Sequence, residues 1–354
     1  MLKPIVLETF VSDRRVAYNN GLTDKTAILY EGSTYMLKPA SLDANGMYQS
    51  TAVSEFLGSH IYELLGIPAH ETLLADYRGR PSVLCKDFLL ADGSKDLELF
   101  EFRAVASEFS IKNHISSAHP GQREPLTSVL QVLSGSDFLE PVRAGAISRF
   151  WQMFVVDSFI ENYDRHTGNW GYIYDKGTGE VSLAPVYDCA GSFNPQHGDA
   201  DLSLLLTKDP KDILYRMDFG YETAAFSGDS PNVKLTLEHV LANIENKGAA
   251  EAVVELVPKI SDSLSDIFDL VGSIGTLSDT RKEYILTTLQ YRFDNILVPA
   301  YHMAAERGAA NVCREDDTPT LSSLAAGAQL ASKGLRPAAG QPANEHGHPS
   351  NPAR

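Results

Sequence analysis

The sequence predicts an α+β protein of two lobes, a small β-rich one carrying a single helix and a larger, mostly helical one. Three observations lead there. Short β-type runs broken by turn residues fill the first part of the chain. An intensely apolar helix and several amphipathic ones dominate the rest. Between that apolar helix and a hairpin lies a polar segment with acids on either side.

The elements follow in order. Thr26–Tyr30 and Ser33–Leu37 are β-type runs joined at Glu31-Gly32, a hairpin signal. Thr51–Leu65 places Val53, Phe56, Leu57, Ile61, Leu64 and Leu65 at helical spacing, and Gly66-Ile-Pro68 ends it. Thr72–Ala75 and Ser82–Cys85 form a second strand pair around Arg78-Gly79-Arg80. From about Asp96 the helical signal takes over. Ile147, Phe150, Trp151, Phe154, Val155 and Phe159 mark a core helix that runs straight into Asp164. Gly171–Tyr174 and Val181–Leu183, either side of Lys176-Gly-Thr-Gly, make a hairpin. Thr236–Glu245, Ala250–Val257 and Thr280–Tyr301 read as amphipathic helices. Beyond Gly308 the composition turns to Ala, Pro, Gly, Ser and Asn, and Gly334–Arg354 nearly lacks large apolar residues, as a disordered tail would. The expected units are residues 1–92 (nucleotide-binding), 93–308 (catalytic, helical) and 309–354 (tail).

Bulk properties narrow the function. The 354 residues suffice for one two-lobed enzyme, with an ordinary globular balance of 43% hydrophobic and 21% charged residues. A net charge of −16 excludes a general binder of nucleic acid or anionic membrane, which needs clustered Lys and Arg. Cys85, Cys189 and Cys313 are odd in number and widely spaced, giving neither a disulfide framework nor a zinc motif. The N-terminal apolar run is too short for a signal peptide and carries Glu8. A cytoplasmic protein is expected, with secretion as an effector without a cleaved signal left open.

The chemistry lies in Asp164-Arg-His-Thr-Gly-Asn169 and in Leu183-Ala-Pro-Val-Tyr-Asp188. An acid, an amide five positions on and a second acid beyond it meet the needs of in-line phosphoryl transfer. Asp164 can accept or orient a hydroxyl proton, and Asn169 and Asp188 offer hard oxygens to Mg2+. The hairpin after Asn169 returns the chain to Asp188, so both side chains can converge on one metal. Lys38, ending an apolar strand, can hold ATP phosphates, with Glu55 on the next helix as its ion-pair partner. Asn20-Gly21-Leu22-Thr23-Asp24-Lys25 can present backbone N–H groups to phosphates, a weaker signal with one glycine. His166 and Arg165 fit a loop-fixing role. Lys86-Asp87-Phe88 sits where a hinge between lobes would fall, with adenine recognised through its backbone.

Together these residues resemble the HipA family of bacterial serine/threonine kinases. Gly21-Leu-Thr-Asp-Lys25-Thr-Ala-Ile-Leu, Met-Leu-Lys38-Pro, Ser54-Glu55 and Leu64-Leu-Gly-Ile-Pro68 match its nucleotide lobe, and the Asp164 and Asp188 segments its catalytic and metal motifs. The resemblance spans roughly residues 14–300. It implies a protein-kinase-like fold, ATP and Mg2+, Asp164 as proton acceptor and Asn169 with Asp188 as metal ligands. It further implies that Asn20 to Lys25, Lys38, Lys86 to Phe88, His166, Asn169, Tyr187 and Asp188 line the nucleotide site. The chain is expected to lack the extra N-terminal subdomain of the full-length toxins and so resembles the compact HipT and CtkA types; that difference leaves room for a separately encoded antitoxin as a partner. Tyr18 stands near the family's autophosphorylation serine. The acceptor would be a protein, an aminoacyl-tRNA synthetase or a host protein.

Two other readings compete. Phosphoinositide kinases carry a similar Asp-Arg-His segment, but there an Asp-Phe-Gly triplet follows, whereas here Asp188 precedes Cys-Ala-Gly. A pseudokinase or binding scaffold would keep the fold without turnover, although Lys38, Asp164, Asn169 and Asp188 are all present.

Overall fold

In the computed structural model the described residues are 1–13, 25–43, 46–90, 96–113, 124–207, 226–227, 235–243 and 246–306. Asn20, Gly21, Leu22, Thr23 and Asp24 of the expected phosphate loop, Tyr18 and the tail from residue 309 lie outside them.

The first lobe is one curled sheet. Strands β1 (Ile5–Leu7), β2 (Val11–Ser12), β3 (Thr26–Tyr30) and β4 (Ser33–Pro39) precede helix α1 (Thr51–Leu64). Strands β5 (Thr72–Tyr77) and β6 (Arg80–Lys86) follow it. The spatial order is β1-β5-β6-β4-β3-β2, antiparallel except for β1 on β5. Both expected hairpins form at the expected turns, where Glu31-Gly32 and Arg78-Gly79 all have positive φ, the backbone twist that tight hairpins require. Helix α1 ends as its sequence demands. Gly66 takes φ +75°, a conformation that glycine enters without steric cost.

Val53, Phe56, Leu57 and Ile61 of α1 join a core continuous with the second lobe, so the helix is wedged between sheet and helices. The other face of the sheet has its own small core of Leu7, Ile28, Tyr35, Leu37, Ala75 and Leu84.

The second lobe opens with a strand where the sequence suggested helix. Strand β7 (Leu97–Glu101) runs directly into α2 (Phe102–Lys112). After β8 (Glu124–Pro125) and α3 (Leu126–Gly135), a 3-10 turn over Asp137–Val142 leads into α4 (Arg143–Phe159). Strands β9 (Gly171–Asp175) and β10 (Val181–Leu183) form the expected hairpin, and β7 pairs antiparallel with β9 along its whole length. Leu-Glu-Leu-Phe-Glu is a poor strand by propensity; the partner strand makes it one.

The rest is α5 (Asp199–Leu206), β11 (Phe226–Ser227), α6 (Leu237–Ala242), α7 (Lys247–Ser273), α8 (Asp279–Arg292), a π-helical turn at Phe293–Leu297 and α9 (Val298–Glu306). Helix α7 runs far past Val257, with Pro258 inside it. A mid-helix proline costs about 3 kcal/mol. The buried stripe Leu256, Val257, Ile260, Leu264, Ile267 and Val271 offsets that cost, at roughly 2 kcal/mol per large side chain. Among the described residues no helix is long and apolar enough to cross a membrane.

Candidate active site

The lobes meet along the segment Pro68–His70. The His70 N–H donates to the Val186 carbonyl (2.9 Å), and the Val186 N–H to the Pro68 carbonyl (2.8 Å). This short parallel bridge brings the Asp188 segment against α1 and β4.

Lys38 projects from β4 and is nearly buried. Its Nζ donates to Glu55 Oε2 (2.7 Å) and to Asp188 Oδ1 (3.0 Å). Burial works against its charge, but Asp188 and Glu55 outweigh that and hold its pKa well above the usual lysine range. Glu55 is fully buried. Burial alone would raise its pKa; Lys38 and His70 hold it well below the carboxylate range instead. Its Oε1 accepts the Cys189 N–H (3.1 Å) and lies 2.9 Å from His70 Nε2. The expected Lys38–Glu55 pair is thus present and fastened to the residue after Asp188.

Asp188 itself has φ +60°, in the left-handed region, which Asp enters more readily than most residues at a cost of about 1 kcal/mol. Arg165 holds it there. This guanidinium, 2% exposed, forms a two-point pair with Asp157 near the end of α4, Nε to Oδ2 at 2.8 Å and Nη2 to Oδ1 at 3.1 Å. Its Nη1 donates to the carbonyls of Asn169 (2.8 Å) and, in a short contact, Tyr187. One buried cation therefore ties α4, the Asp164–Asn169 loop and the Asp188 segment together. Asp157 also accepts from Tyr62 Oη (2.8 Å) and Asn162 Nδ2 (3.0 Å). Sequence reasoning assigned Arg165 to the loop but missed Asp157. The available signal was an acid on the apolar face of a core helix, which requires a buried partner.

Within the loop, Asn169 Nδ2 donates to the Asp164 carbonyl (2.7 Å), which commits the amide nitrogen and keeps the oxygen for another partner. His166 Nδ1 accepts the Gly168 N–H (3.1 Å), a contact within the loop in which the ring is acceptor rather than donor. Asp164 reaches solvent, yet partial burial desolvates its carboxyl, and with Asp188 nearby its pKa rises above the ordinary value; His166 opposes the rise. Behind it, Gly191 packs so closely that a Cβ there would lie 2.8 Å from Asp164 Cβ.

Lys38, His166, Asn169 and Asp188 open onto a cleft of about 460 Å³. Lys25, Lys38, Lys86, Asp87, Phe88, His166, Asn169, Tyr187 and Asp188, all expected there, line it, joined by Met36, His70, Cys85, Leu99 and Arg103, which were not. The rings of Phe88 and Tyr187 approach to 6.0 Å across it. Lys86 pairs with Glu71 at the rim (2.7 Å). The N–H groups of Lys86, Asp87 and Leu89 are committed to Glu71 O, Thr34 O and Asp87 Oδ1.

A curled sheet holding a Lys–Glu pair, set over a helical lobe that presents an Asn and an Asp to the cleft between them, with Asp164 exposed on the same loop as the Asn, defines a protein-kinase-like enzyme. The HipA-like C-terminal domain model matches residues 19–248, and the chain belongs to that family. It is 28% identical over 287 residues to the serine/threonine-protein kinase CtkA of Helicobacter pylori (strain J99), covering 80% of this chain and 83% of that protein. The crystal structure of the proinflammatory kinase CtkA of H. pylori matches with a TM-score of 0.74 at 25% identity, covering 86% of this chain and 99% of that one. A fainter likeness, TM-score 0.49 at 11% identity over 81% of this chain and 67% of that one, is to a complex of HipA, HipB and operator DNA from Shewanella oneidensis, too slight to bear on partners. The protein is a kinase.

Proposed function

We propose that the protein is an ATP- and Mg2+-dependent serine/threonine protein kinase of the HipA type, with Asp164 as the group that orients and deprotonates the acceptor hydroxyl. The observation that carries this reading is the position of Lys38. Its ammonium is held between Glu55 and Asp188, on the wall of the cleft that Asn169 also lines.

The donor set fits ATP and Mg2+. Asn169 and Asp188 would hold Mg2+ through an amide and a carboxylate oxygen, the hard ligands it prefers. Lys38 would neutralise phosphate charge, and Lys25 stands at the same cleft. When bound, ATP supplies the phosphoryl group and Mg2+ offsets the charge on its phosphates. Three of the four amides from Lys86 to Leu89 are already committed, so a backbone donor to the base falls to Phe88, with Tyr187 opposite. A raised pKa makes Asp164 a better proton acceptor near neutrality than an ordinary aspartate. Its solvent-exposed position lets a protein side chain reach it. The description of the H. pylori relative as proinflammatory favours a host protein over an aminoacyl-tRNA synthetase as acceptor.

The test is transfer from radiolabelled ATP with Mg2+ in bacterial and animal-cell lysates, beside Asp164→Asn and Asp188→Asn. Label on serine or threonine, lost in both variants while Asp164→Asn still binds nucleotide, supports the reading. Label surviving in either variant, or transfer to lipid alone, overturns it.

A further inference from the structure

Glu55 of the Lys38 pair and two buried side chains beside it have no part in the phosphoryl-transfer scheme as a group. We infer that Glu55, His70 and Cys85 form a binding site for a borderline-soft divalent cation of the Zn2+ class, and that filling it withdraws Glu55 from Lys38. A carboxylate oxygen, an imidazole nitrogen and a thiol sulfur all lie within 4.8 Å of one another. They are 0%, 4% and 1% exposed respectively. Each comes from a separately anchored element: Glu55 from α1, Cys85 from β6 opposite Thr72, and His70 from the bridge that leads into β5.

The state of His70 is the second observation. Its Nε2 is buried and stands 2.9 Å from Glu55 Oε1, so the imidazole nitrogen already faces the carboxylate with the Cys85 thiol beside them. A cation shared with the facing carboxylate and thiol would take the place of this nitrogen's contact with Glu55. Mixed N, S and O donors suit Zn2+, whereas Mg2+ prefers oxygen alone. Modest contraction brings the three atoms to ordinary zinc distances of roughly 2.0–2.3 Å from a common centre. His70 and Cys85 both line the cleft, so a fourth position is accessible to water.

Coordination breaks the Cys85 S–H bond, forms the S–Zn bond and releases the proton to water. Because the cation displaces the thiol proton, affinity increases with pH. The charged groups around the site are Glu55 on α1, Lys38 on β4, Asp188 beyond β10 and Lys25 just before β3. A dication on Oε1 competes with the Lys38 ammonium for one carboxylate. The lysine then loses its fixed position at the cleft wall, and phosphoryl transfer falls. Binding does not depend on the kinase reading; the effect on transfer rests on it.

The experiment is a Co2+ titration of the full chain in a Cys313→Ser background, without nucleotide. Expected is one-to-one binding with a near-ultraviolet thiolate-to-cobalt band, displaced by Zn2+. Cys85→Ser should lose the band, and His70→Gln, checked for an unchanged circular dichroism spectrum, should weaken binding at least about tenfold. No binding, a band that persists in Cys85→Ser, or unaltered affinity in His70→Gln each overturns the site. Kinase assays with added Zn2+, each variant scaled to its own zinc-free rate, should show inhibition that a zinc-selective chelator reverses and that Cys85→Ser escapes. Equal inhibition of Cys85→Ser would place zinc at Asn169 and Asp188 and overturn the regulatory part.

Discussion

Asp157→Asn is the most informative perturbation, because it changes a residue outside the cleft and almost nothing in volume. Four donors converge on the two carboxylate oxygens of Asp157: Tyr62 Oη, Asn162 Nδ2 and two nitrogens of Arg165, at 2.8 to 3.1 Å. Asparagine replaces one oxygen with a donor, setting N–H against N–H, and leaves Arg165 charged and buried without a counter-ion. Breaking a buried pair in this way costs about 3–5 kcal/mol. At roughly 2–4 °C per kcal/mol for a chain of this class, thermal unfolding should drop by on the order of 10 °C. The comparison is Lys176→Ala, which removes an exposed pair with Glu98 (2.9 Å) and should cost less than about 1 kcal/mol. Phosphoryl transfer at a temperature where both variants are folded should fall for Asp157→Asn only, since Arg165 also fixes the carbonyls of Asn169 and Tyr187. If Asp157→Asn is no less stable than Lys176→Ala, Arg165 is not the charged clamp described above.

Other outcomes follow from the same geometry. Burial pushes the Glu161 carboxyl up to about 7 against the pull of Arg292, so the folded protein keeps a proton there that the unfolded chain sheds above about pH 4.5. Stability should therefore decline from pH 4.5 towards 7, by at most about 3 kcal/mol from this group, and Glu161→Gln should flatten the decline in urea titrations. Glu55 has the opposite sign. Its depressed pKa contributes stability that is present above pH 4.5 and lost as pH falls through the folded value, so Glu55→Gln and wild type should converge in acid. Gly191→Ala would set a methyl 2.8 Å from Asp164 Cβ and 3.0 Å from Asn162 Oδ1. It should lower kcat by on the order of 10- to 100-fold, with nucleotide affinity, measured by calorimetry, little changed.

Much of this was readable from the sequence where the cause is local. The two hairpins of the first lobe, α1 with its glycine stop and the Asp164-to-Asp188 spacing all follow from periodicity and turn chemistry within a few residues. Strand β7 was not readable, because Leu97–Glu101 becomes a strand only by pairing with β9, some seventy positions on. Helix α7 was cut short at Pro258 because the burial that overrides a proline is contributed by other elements. His70, Cys85 and Asp157 carry no local signature. Each matters through a partner far along the chain, Glu55 for the first two and Arg165 for the third. The one partial clue was the charge of Asp157 inside an apolar helix.

The Pro68–Val186 bridge also bears on how the molecule moves. Asp188 is sewn to the sheet side through His70, Lys38 and Glu55, whereas Asn169 is rooted in the helical side through the Asp164 loop. The seam between the lobes therefore lies close to these two oxygen-bearing side chains, with Arg165 clamping both segments from the helical side. Anything gripped by both acts as mortar across that joint. Filling the cleft should merge the lobes into one cooperative unfolding unit and slow amide exchange along Pro68–His70 and Val186–Cys189, at a distance from the bound molecule's own contacts.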